Sequence, residues 1–176
     1  MNRSSLQLRR AFAVTAVVWA VVLPAAAMLA SLEAPGVPGY LSALTVYAIG
    51  SIVCHQLPDR SFHLLGRQLP VCARCTGIYV GAAVVALIAS AVSRLKPRPS
   101  TLLGSTLSVA QARARLSTWL KLRTPLAAFA VAPTLVTLGY EWTAGTAPAN
   151  WIRAVAGFTL GAVVSALVLA PVDEER

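Results

Sequence analysis

Charge is scarce in this chain of 176 residues, and acidic charge is the scarcest. Charged residues make up 12% of the sequence and hydrophobic residues 57%, whereas an ordinary soluble domain has about 25% charged residues. This composition excludes an ordinary soluble domain, and the length allows one domain, residues 1–176. Fifteen Lys and Arg against six Asp and Glu give a net charge of +9. Because the basic residues flank apolar runs, they indicate membrane topology and contact with anionic lipid, and nucleic acid is not expected as a partner.

Cysteine and histidine are also rare, with three and two residues. There is no second paired-cysteine motif, so Cys54 alone would have to resolve a disulfide formed at the Cys72-Ala-Arg-Cys75 pair. All three cysteines nevertheless fall between positions 54 and 75, and His55 adjoins the first of them. Metal sites and thiol redox centres both need thiolates held close together, so the cluster predicts one of these two chemistries.

Long apolar runs predict an all-α polytopic membrane bundle with four transmembrane helices and one short half-helix or re-entrant segment. A helix needs about 17–25 residues to cross the hydrocarbon core. Four runs satisfy this requirement, at residues 11–32, 76–92, 125–141 and 151–170, and the shorter run 40–53 is the half-helix. The first run could instead be a cleaved signal peptide ending near Ala25-Ala26-Ala27, but its length favours a retained helix kinked at Pro24.

Basic residues predict the orientation of the bundle. The loop 93–124 carries several Lys and Arg and no acid, and the N-terminus carries three arginines, so both should be cytoplasmic. An even number of crossings then separates them, which makes residues 40–53 non-spanning, places loop 54–75 on the outer face and predicts cytoplasmic N- and C-termini. If residues 40–53 do span, there are five helices and one basic segment lies outside. In either case two crossings separate Cys75 from Glu141, so both lie at the same end of the bundle.

The helical spacing of apolar residues 109–120 allows an interfacial amphipathic helix in the basic loop, and a flexible linker is the alternative for its first half.

Two glycine pairs predict close helix packing. Gly77 and Gly81 share one helix face, and so do Gly157 and Gly161. Small residues let helix backbones approach each other within a bilayer. The two helices are expected to pack together within one subunit or across a homo-oligomer or membrane partner, and chance spacing in a Gly- and Ala-rich chain is the alternative.

Metal binding is the leading functional hypothesis for the cysteine cluster. Two cysteines at the spacing of Cys72 and Cys75 can chelate one ion. Cys54 with His55 would complete a set of three thiolates and one imidazole, which suits zinc, or copper(I) or iron in a relaxed geometry. Adjacent residues chelate one ion poorly because their side chains diverge, and His63 could replace His55.

Two other functions remain open. Cys72 and Cys75 at the start of a helix, beside Arg74, could be the catalytic pair of a membrane thiol–disulfide oxidoreductase. Alternatively the cysteines are structural, as a disulfide or as small buried residues, in a non-catalytic membrane scaffold or transporter accessory component.

The residues around the cysteines resemble a family of bacterial multi-pass membrane proteins catalogued as domain of unknown function 2085. The resemblance rests on Cys54-His55-Gln56, Pro58-x-Arg60-Ser61-Phe62 and Gly66-x-Gln68-x-Pro70-Val71-Cys72-Ala73-Arg74-Cys75-Thr76-Gly77-Ile78-Tyr79 with Gly81. The stretch Asn150-x-x-Arg153-x-x-x-Gly157-x-x-x-Gly161 is similar to the family's last helix.

The resemblance implies an integral protein of a bacterial cytoplasmic membrane and no particular reaction. Where family members tend to carry Asp-Gly, this chain has Gly139-Tyr140-Glu141-Trp142, and Glu141 is the candidate for that carboxylate. A polar rim able to bind an anion or a lipid headgroup is expected beside the cysteines. Its candidate residues are Arg60, Arg74, Glu141, Asn150 and Arg153.

Overall fold

The structure, a computed structural model, describes residues 3–34, 36–95 and 109–169. It confirms the predicted all-α class, and 82% of it is helical. The described helices are α1 (Arg3–Ser31), α2 (Gly36–Val53), α3 (Ala73–Leu95), α4 (Val109–Ala144) and α5 (Asn150–Leu169). A short 3-10 turn, Pro58–Arg60, and a two-stranded hairpin, β1 (His63–Leu64) and β2 (Arg67–Gln68), lie between α2 and α3.

Four of the described helices, α1, α2, α3 and α5, are long and apolar enough to cross a membrane. Helix α2 has 18 residues and is longer than the predicted run 40–53, and by its length and composition it is among the helices that can cross a membrane. The predicted segment began at Tyr40, but Gly36 with φ 67° and Pro38 in the first turn extend the helix, since proline is tolerated where N–H groups lack helical partners. Residues 125–141 are helical as predicted, within α4, which is not one of these four helices and contains Pro125 and Pro133.

The first helix packs into the bundle. Leu23, Ala26 and Ala27 are fully buried, and Pro24 lies inside the helix. The ring of Trp19 contacts that of Tyr79 on α3 edge to face, with centroids 6.1 Å apart. Two of the three alanines that resemble a signal-peptide cleavage site, Ala26 and Ala27, are therefore part of the core between α1 and its neighbours.

Helices α3 and α5 cross at the two predicted glycine faces, within one chain. A Cβ at Gly77 would overlap the backbone oxygen of Ala154, and one at Gly161 would overlap that of Ile78. The Ser165 hydroxyl extends the contact by donating a hydrogen bond of 3.0 Å to the Ala82 carbonyl. These faces are filled by each other, so the glycines set the separation of the two helix backbones.

The basic loop predicted over residues 93–124 is only partly described. Its first three residues continue α3, residues 96–108 lie outside the described residues, and residues 109–124 form the beginning of α4. The C-terminal half of α4 packs on α5. The Thr134 hydroxyl donates to the Ala156 carbonyl at 3.1 Å, and the Thr159 hydroxyl donates to the Ala130 carbonyl at 3.3 Å. This packing brings the end of α4 next to the beginning of α5.

Candidate metal centre and arginine cluster

The three cysteines meet where α2 ends and α3 begins. Cys54 follows the last residue of α2, Cys72 directly precedes α3, and Cys75 lies in its first turn. Their sulfur atoms all lie within 4.8 Å of one another, and all three are free thiols. Cys54 is buried and the other two are half-buried. The predicted proximity of the cysteines is therefore present in the folded chain.

Hydrogen bonds tie the sulfur atoms together. The Cys72 backbone N–H donates to the Cys54 sulfur at 3.2 Å. Hydrogen bonding with the Cys75 side chain lowers the pKa of Cys72 to about 5, with smaller contributions from Cys54 and from the positive charge of Arg153 and against the opposing effect of burial. The cluster thus favours a thiolate at Cys72 when it holds no metal ion.

Two glutamines hold the loop that presents the cysteines. Gln56 has φ 49°, a conformation that is unfavourable for a residue other than glycine, and its side-chain amide donates to the carbonyls of Tyr47 at 2.9 Å and Pro70 at 2.6 Å. The Gln68 amide donates to the Gln56 carbonyl at 2.5 Å, and the Tyr47 hydroxyl donates to the Gln68 carbonyl. Sequence reasoning gave neither glutamine a role, although both stand in the family motif.

Gly50 allows the two ligand segments to come together. A Cβ at this position on α2 would overlap the Pro70 carbonyl oxygen, so only glycine lets the segment before Cys72 lie against the helix that ends before Cys54. The hairpin turn also needs unusual backbone, since Leu65 and Gly66 both have positive φ, as a type I′ turn requires. The sequence contained no spacing signal that would have singled out Gly50.

The structure does not bring either histidine to the sulfur atoms. His55 is exposed next to buried Cys54, and His63 is exposed on β1. The His, Cys, Asp and Glu residues grouped closely enough to hold an ion within the described residues are the three cysteines. Of the predicted set of three cysteines and one histidine, the structure brings the three cysteines together, and His55 as a ligand stays a prediction.

A second cluster, here called the arginine cluster, consists of Arg60, Arg74, Arg153 and Glu141. One carboxylate oxygen of Glu141 accepts from Arg74 at 2.9 Å and from Arg153 at 3.0 Å, and the other accepts from Arg60 at 3.2 Å. The side chains of Arg153 and Glu141 are only 3% and 6% exposed. The predicted polar residues at this end of the bundle are thus gathered around one carboxylate.

Further hydrogen bonds fix this cluster to the cysteine loop. Arg153 donates to the Arg60 carbonyl at 3.1 Å, and Asn150 donates to the Ser61 carbonyl at 3.1 Å. Arg74 also donates to the hydroxyl of Thr137, which sequence reasoning missed because an isolated threonine on an apolar helix carries no signal. Both polar segments meet at one end of the bundle, where the residues of the predicted polar rim form an ion-paired cluster in which the Arg60 side chain is 40% exposed. Anion binding by this rim stays a prediction.

Fold and site together define a multi-pass α-helical membrane protein with three clustered thiols at the end of its bundle. A family model described as "Predicted membrane protein (DUF2085)" matches residues 54–167, and the chain belongs to that family. The match begins at Cys54 and includes both the cysteines and the arginine cluster.

Curated relatives share shorter stretches with this chain. An uncharacterized protein of Methanocaldococcus jannaschii is 44% identical over 52 residues, which are 30% of this chain and 33% of that protein. An uncharacterized protein of Methanothermobacter thermautotrophicus is 57% identical over 30 residues, 17% of this chain and 27% of that protein. The chain thus spans about a third or less of the length of these relatives. Both are archaeal, so the expected restriction to bacteria is not supported. No solved structure matches the chain.

Proposed function

We propose that Cys54, Cys72 and Cys75 bind a transition metal ion, with zinc as the first candidate. The observation that carries this proposal is that the three sulfur atoms lie within 4.8 Å of one another. Zinc–sulfur bonds of about 2.3 Å in tetrahedral geometry separate neighbouring sulfurs by roughly 3.8 Å, so a small inward movement suffices. The soft ligand set also suits copper(I).

A bound ion would fasten the loop between α2 and α3. Cys54 ends one segment, and Cys72 and Cys75 begin the next, so a shared ion joins two parts of the chain that are otherwise held by the hydrogen bonds of Gln56 and Gln68. Three protein ligands leave one tetrahedral position to a further ligand, as in zinc sites that bind water or substrate. The N–H of Cys72 at the Cys54 sulfur is the kind of outer contact that orients a metal-bound thiolate.

Metal content of the purified protein tests this proposal. Protein purified anaerobically in detergent without chelators should contain about one metal ion per chain. Cys54→Ser should reduce this to below about 0.2, whereas His55→Ala, the matched control beside it, should leave it unchanged because His55 is exposed and outside the sulfur cluster. Elemental analysis gives both values. A metal-free wild-type protein would refute the proposal. Loss of metal in the His55 variant would show that His55 is a fourth protein ligand.

Thiol–disulfide exchange is the second candidate function, and the presence of three free thiols within one cluster favours it. The Cys72 thiolate would attack a substrate disulfide, forming a mixed disulfide and releasing one substrate thiol. Cys75 or Cys54 would then attack the Cys72 sulfur of the mixed disulfide, which releases the second substrate thiol and leaves a disulfide within the cluster, so the cluster loses the two electrons that the substrate gains. This function predicts a reversible two-electron thiol titration at a potential above roughly −300 mV, lost in Cys72→Ser. A Cys72→Ser protein with an unchanged titration would exclude it.

We also propose that the protein lies in the cytoplasmic membrane with the basic segment 93–124 on the cytoplasmic side. The seven Lys and Arg residues in this segment support that orientation, because cytoplasmic loops carry an excess of these residues. Labelling of the cysteines in intact cells with a membrane-impermeant thiol reagent, before and after chelation, tests the outer placement of the site. Labelling only after cell lysis would show that the cysteines face the cytoplasm and would contradict the proposed orientation.

A further inference from the structure

The arginine cluster contains more positive charge than its carboxylate can balance. Within the described part of the chain, ion pairs join Arg60, Arg74 and Arg153 to Glu141 and to no other acid. Three guanidinium groups and one carboxylate leave two surplus positive charges, and a thiolate at Cys72, which is influenced by Arg153, would offset at most one of them. Arginine keeps its proton under these conditions, so the surplus cannot be removed by deprotonation. Charges that are withdrawn from water and left unpaired are costly, which favours a further anion in or beside the cluster.

One buried hydrogen-bond donor in the cluster lacks a partner among the described residues. The Nε of Arg74 is buried and makes no hydrogen bond among the described residues, although Nη2 of the same group binds Glu141 and Thr137. Buried polar groups in folded proteins are nearly always paired. A missing partner on a buried guanidinium therefore points to a ligand that supplies an acceptor oxygen.

Glu141 prepares the guanidinium groups for such a ligand and does not occupy all their donors. It uses Nη1 of Arg60 and Nη2 of Arg74, and each guanidinium has five N–H groups in a planar fork. Arg60 is the most exposed of the three, with 40% of its side chain accessible, against 15% for Arg74 and 3% for Arg153. Arg60 therefore provides the side from which an anion can enter.

We infer that the arginine cluster is a binding site for a phosphate-type oxyanion, in which Arg60 and the Nε–H of Arg74 hold the anion while Glu141 positions both arginines. Planar guanidinium groups match the oxygen spacing of phosphate and bind it through paired, charge-assisted hydrogen bonds. The same chemistry is offered by inorganic phosphate and by the phosphate of a lipid headgroup. The groups that would hold the anion, Arg60 and the Nε–H of Arg74, are distinct from the three sulfur atoms of the proposed metal site.

Titration calorimetry of the detergent-purified full chain with inorganic phosphate and, separately, with a short-chain phosphatidic acid tests this inference. Arg60→Gln should weaken binding about tenfold or more, because a charge-assisted contact is lost. The affinity of Arg60→Lys should lie between that of the wild type and that of Arg60→Gln. Arg67→Gln removes the same charge from an exposed residue of the neighbouring hairpin and should bind as the wild type does. Unchanged metal content and thermal unfolding of Arg60→Gln would show that the loss is local.

The results distinguish the source of the anion. Phosphate binding that depends on Arg60 assigns the site to a free anion, whereas Arg60-dependent binding of phosphatidic acid alone assigns it to a lipid headgroup. Binding of neither probe would overturn the inference and would leave water as the partner of Arg74. Equal weakening by Arg60→Gln and Arg67→Gln would also overturn it, because the effect would then reflect general charge.

Discussion

Replacement of Glu141 by Gln is expected to lower the free energy of unfolding by about 3–5 kcal/mol, because it removes one partner of a buried ion-paired group and leaves the others uncompensated. The carboxylate is 6% exposed and is shared by three arginines. Gln keeps the size of the side chain and one acceptor oxygen but loses the negative charge. The buried Arg153 should contribute the largest part of the loss, since its side chain is only 3% exposed.

Reversible unfolding in mixed micelles of detergent and sodium dodecyl sulfate measures this change. Glu33→Gln is the matched control: Glu33 is exposed, and the same substitution there should change stability by less than about 0.5 kcal/mol. In the Glu141→Gln background, Arg153→Gln should restore part of the lost stability, because it removes the orphaned charge. Equal stability of the Glu141 and Glu33 variants would show that the ion pairs seen in the cluster do not hold the fold.

Substitution of Gly161 by Leu is expected to have a comparable or greater effect, with a loss of about 3 kcal/mol or more. A Cβ at Gly161 would overlap the Ile78 carbonyl oxygen, which belongs to the backbone and cannot turn aside as a side chain can. Helices α3 and α5 would have to separate, and a bilayer offers no hydrophobic force to compensate for the lost contact. The separation would also move Arg74 away from Arg153, because the two residues lie at the same end of this helix pair.

Gly139 provides the control for this prediction. A Cβ there would meet nothing within 4 Å, so Gly139→Leu should be tolerated. The two alanine substitutions should change stability in opposite directions. Gly161→Ala should destabilise the protein, whereas Gly139→Ala should stabilise it slightly, since alanine favours a helix by about 0.5–1 kcal/mol over glycine. The same micelle unfolding assay compares all four variants. A neutral Gly161→Leu would contradict the close backbone contact.

The sequence made some parts of this structure predictable because they depend on spacing and crossing number. The two glycine pairs identified the faces of α3 and α5, and two intervening helices were enough to place Glu141 at the end of the bundle where Cys75 lies. The closeness of Cys54 to Cys72 and Cys75 was expected from the cluster itself. Each of these properties follows from helix periodicity or chain connectivity.

Other parts depend on tertiary contacts that no local pattern encodes. The role of Gly50 arises from a carbonyl twenty residues further along the chain, at Pro70. The convergence of three arginines on Glu141 needed the relative rotation of α3, α4 and α5. His55 was proposed as a ligand because it adjoins Cys54 in the sequence, but sequence adjacency does not determine where a side chain points, and His55 is exposed while Cys54 is buried. The predicted segment 40–53 was shorter than α2 because it was bounded by the apolar run alone, whereas the helix begins at Gly36.

Arg74 stands between Cys72 and Cys75, so the first turn of α3 and the residue before it carry two thiols of one site and a guanidinium of the other. A rigid turn cannot move toward one set of partners without moving relative to the second set. Suppose that a metal ion in the sulfur cluster changes the affinity of the arginine cluster for its anion by some factor. Thermodynamic linkage then requires that the bound anion change the affinity of the sulfur cluster for the metal ion by the same factor. The Cys-Ala-Arg-Cys segment thus takes part both in ligand binding at the sulfur cluster and in ligand binding at the arginine cluster. The rigidity of its four residues determines how strongly the two binding events are coupled.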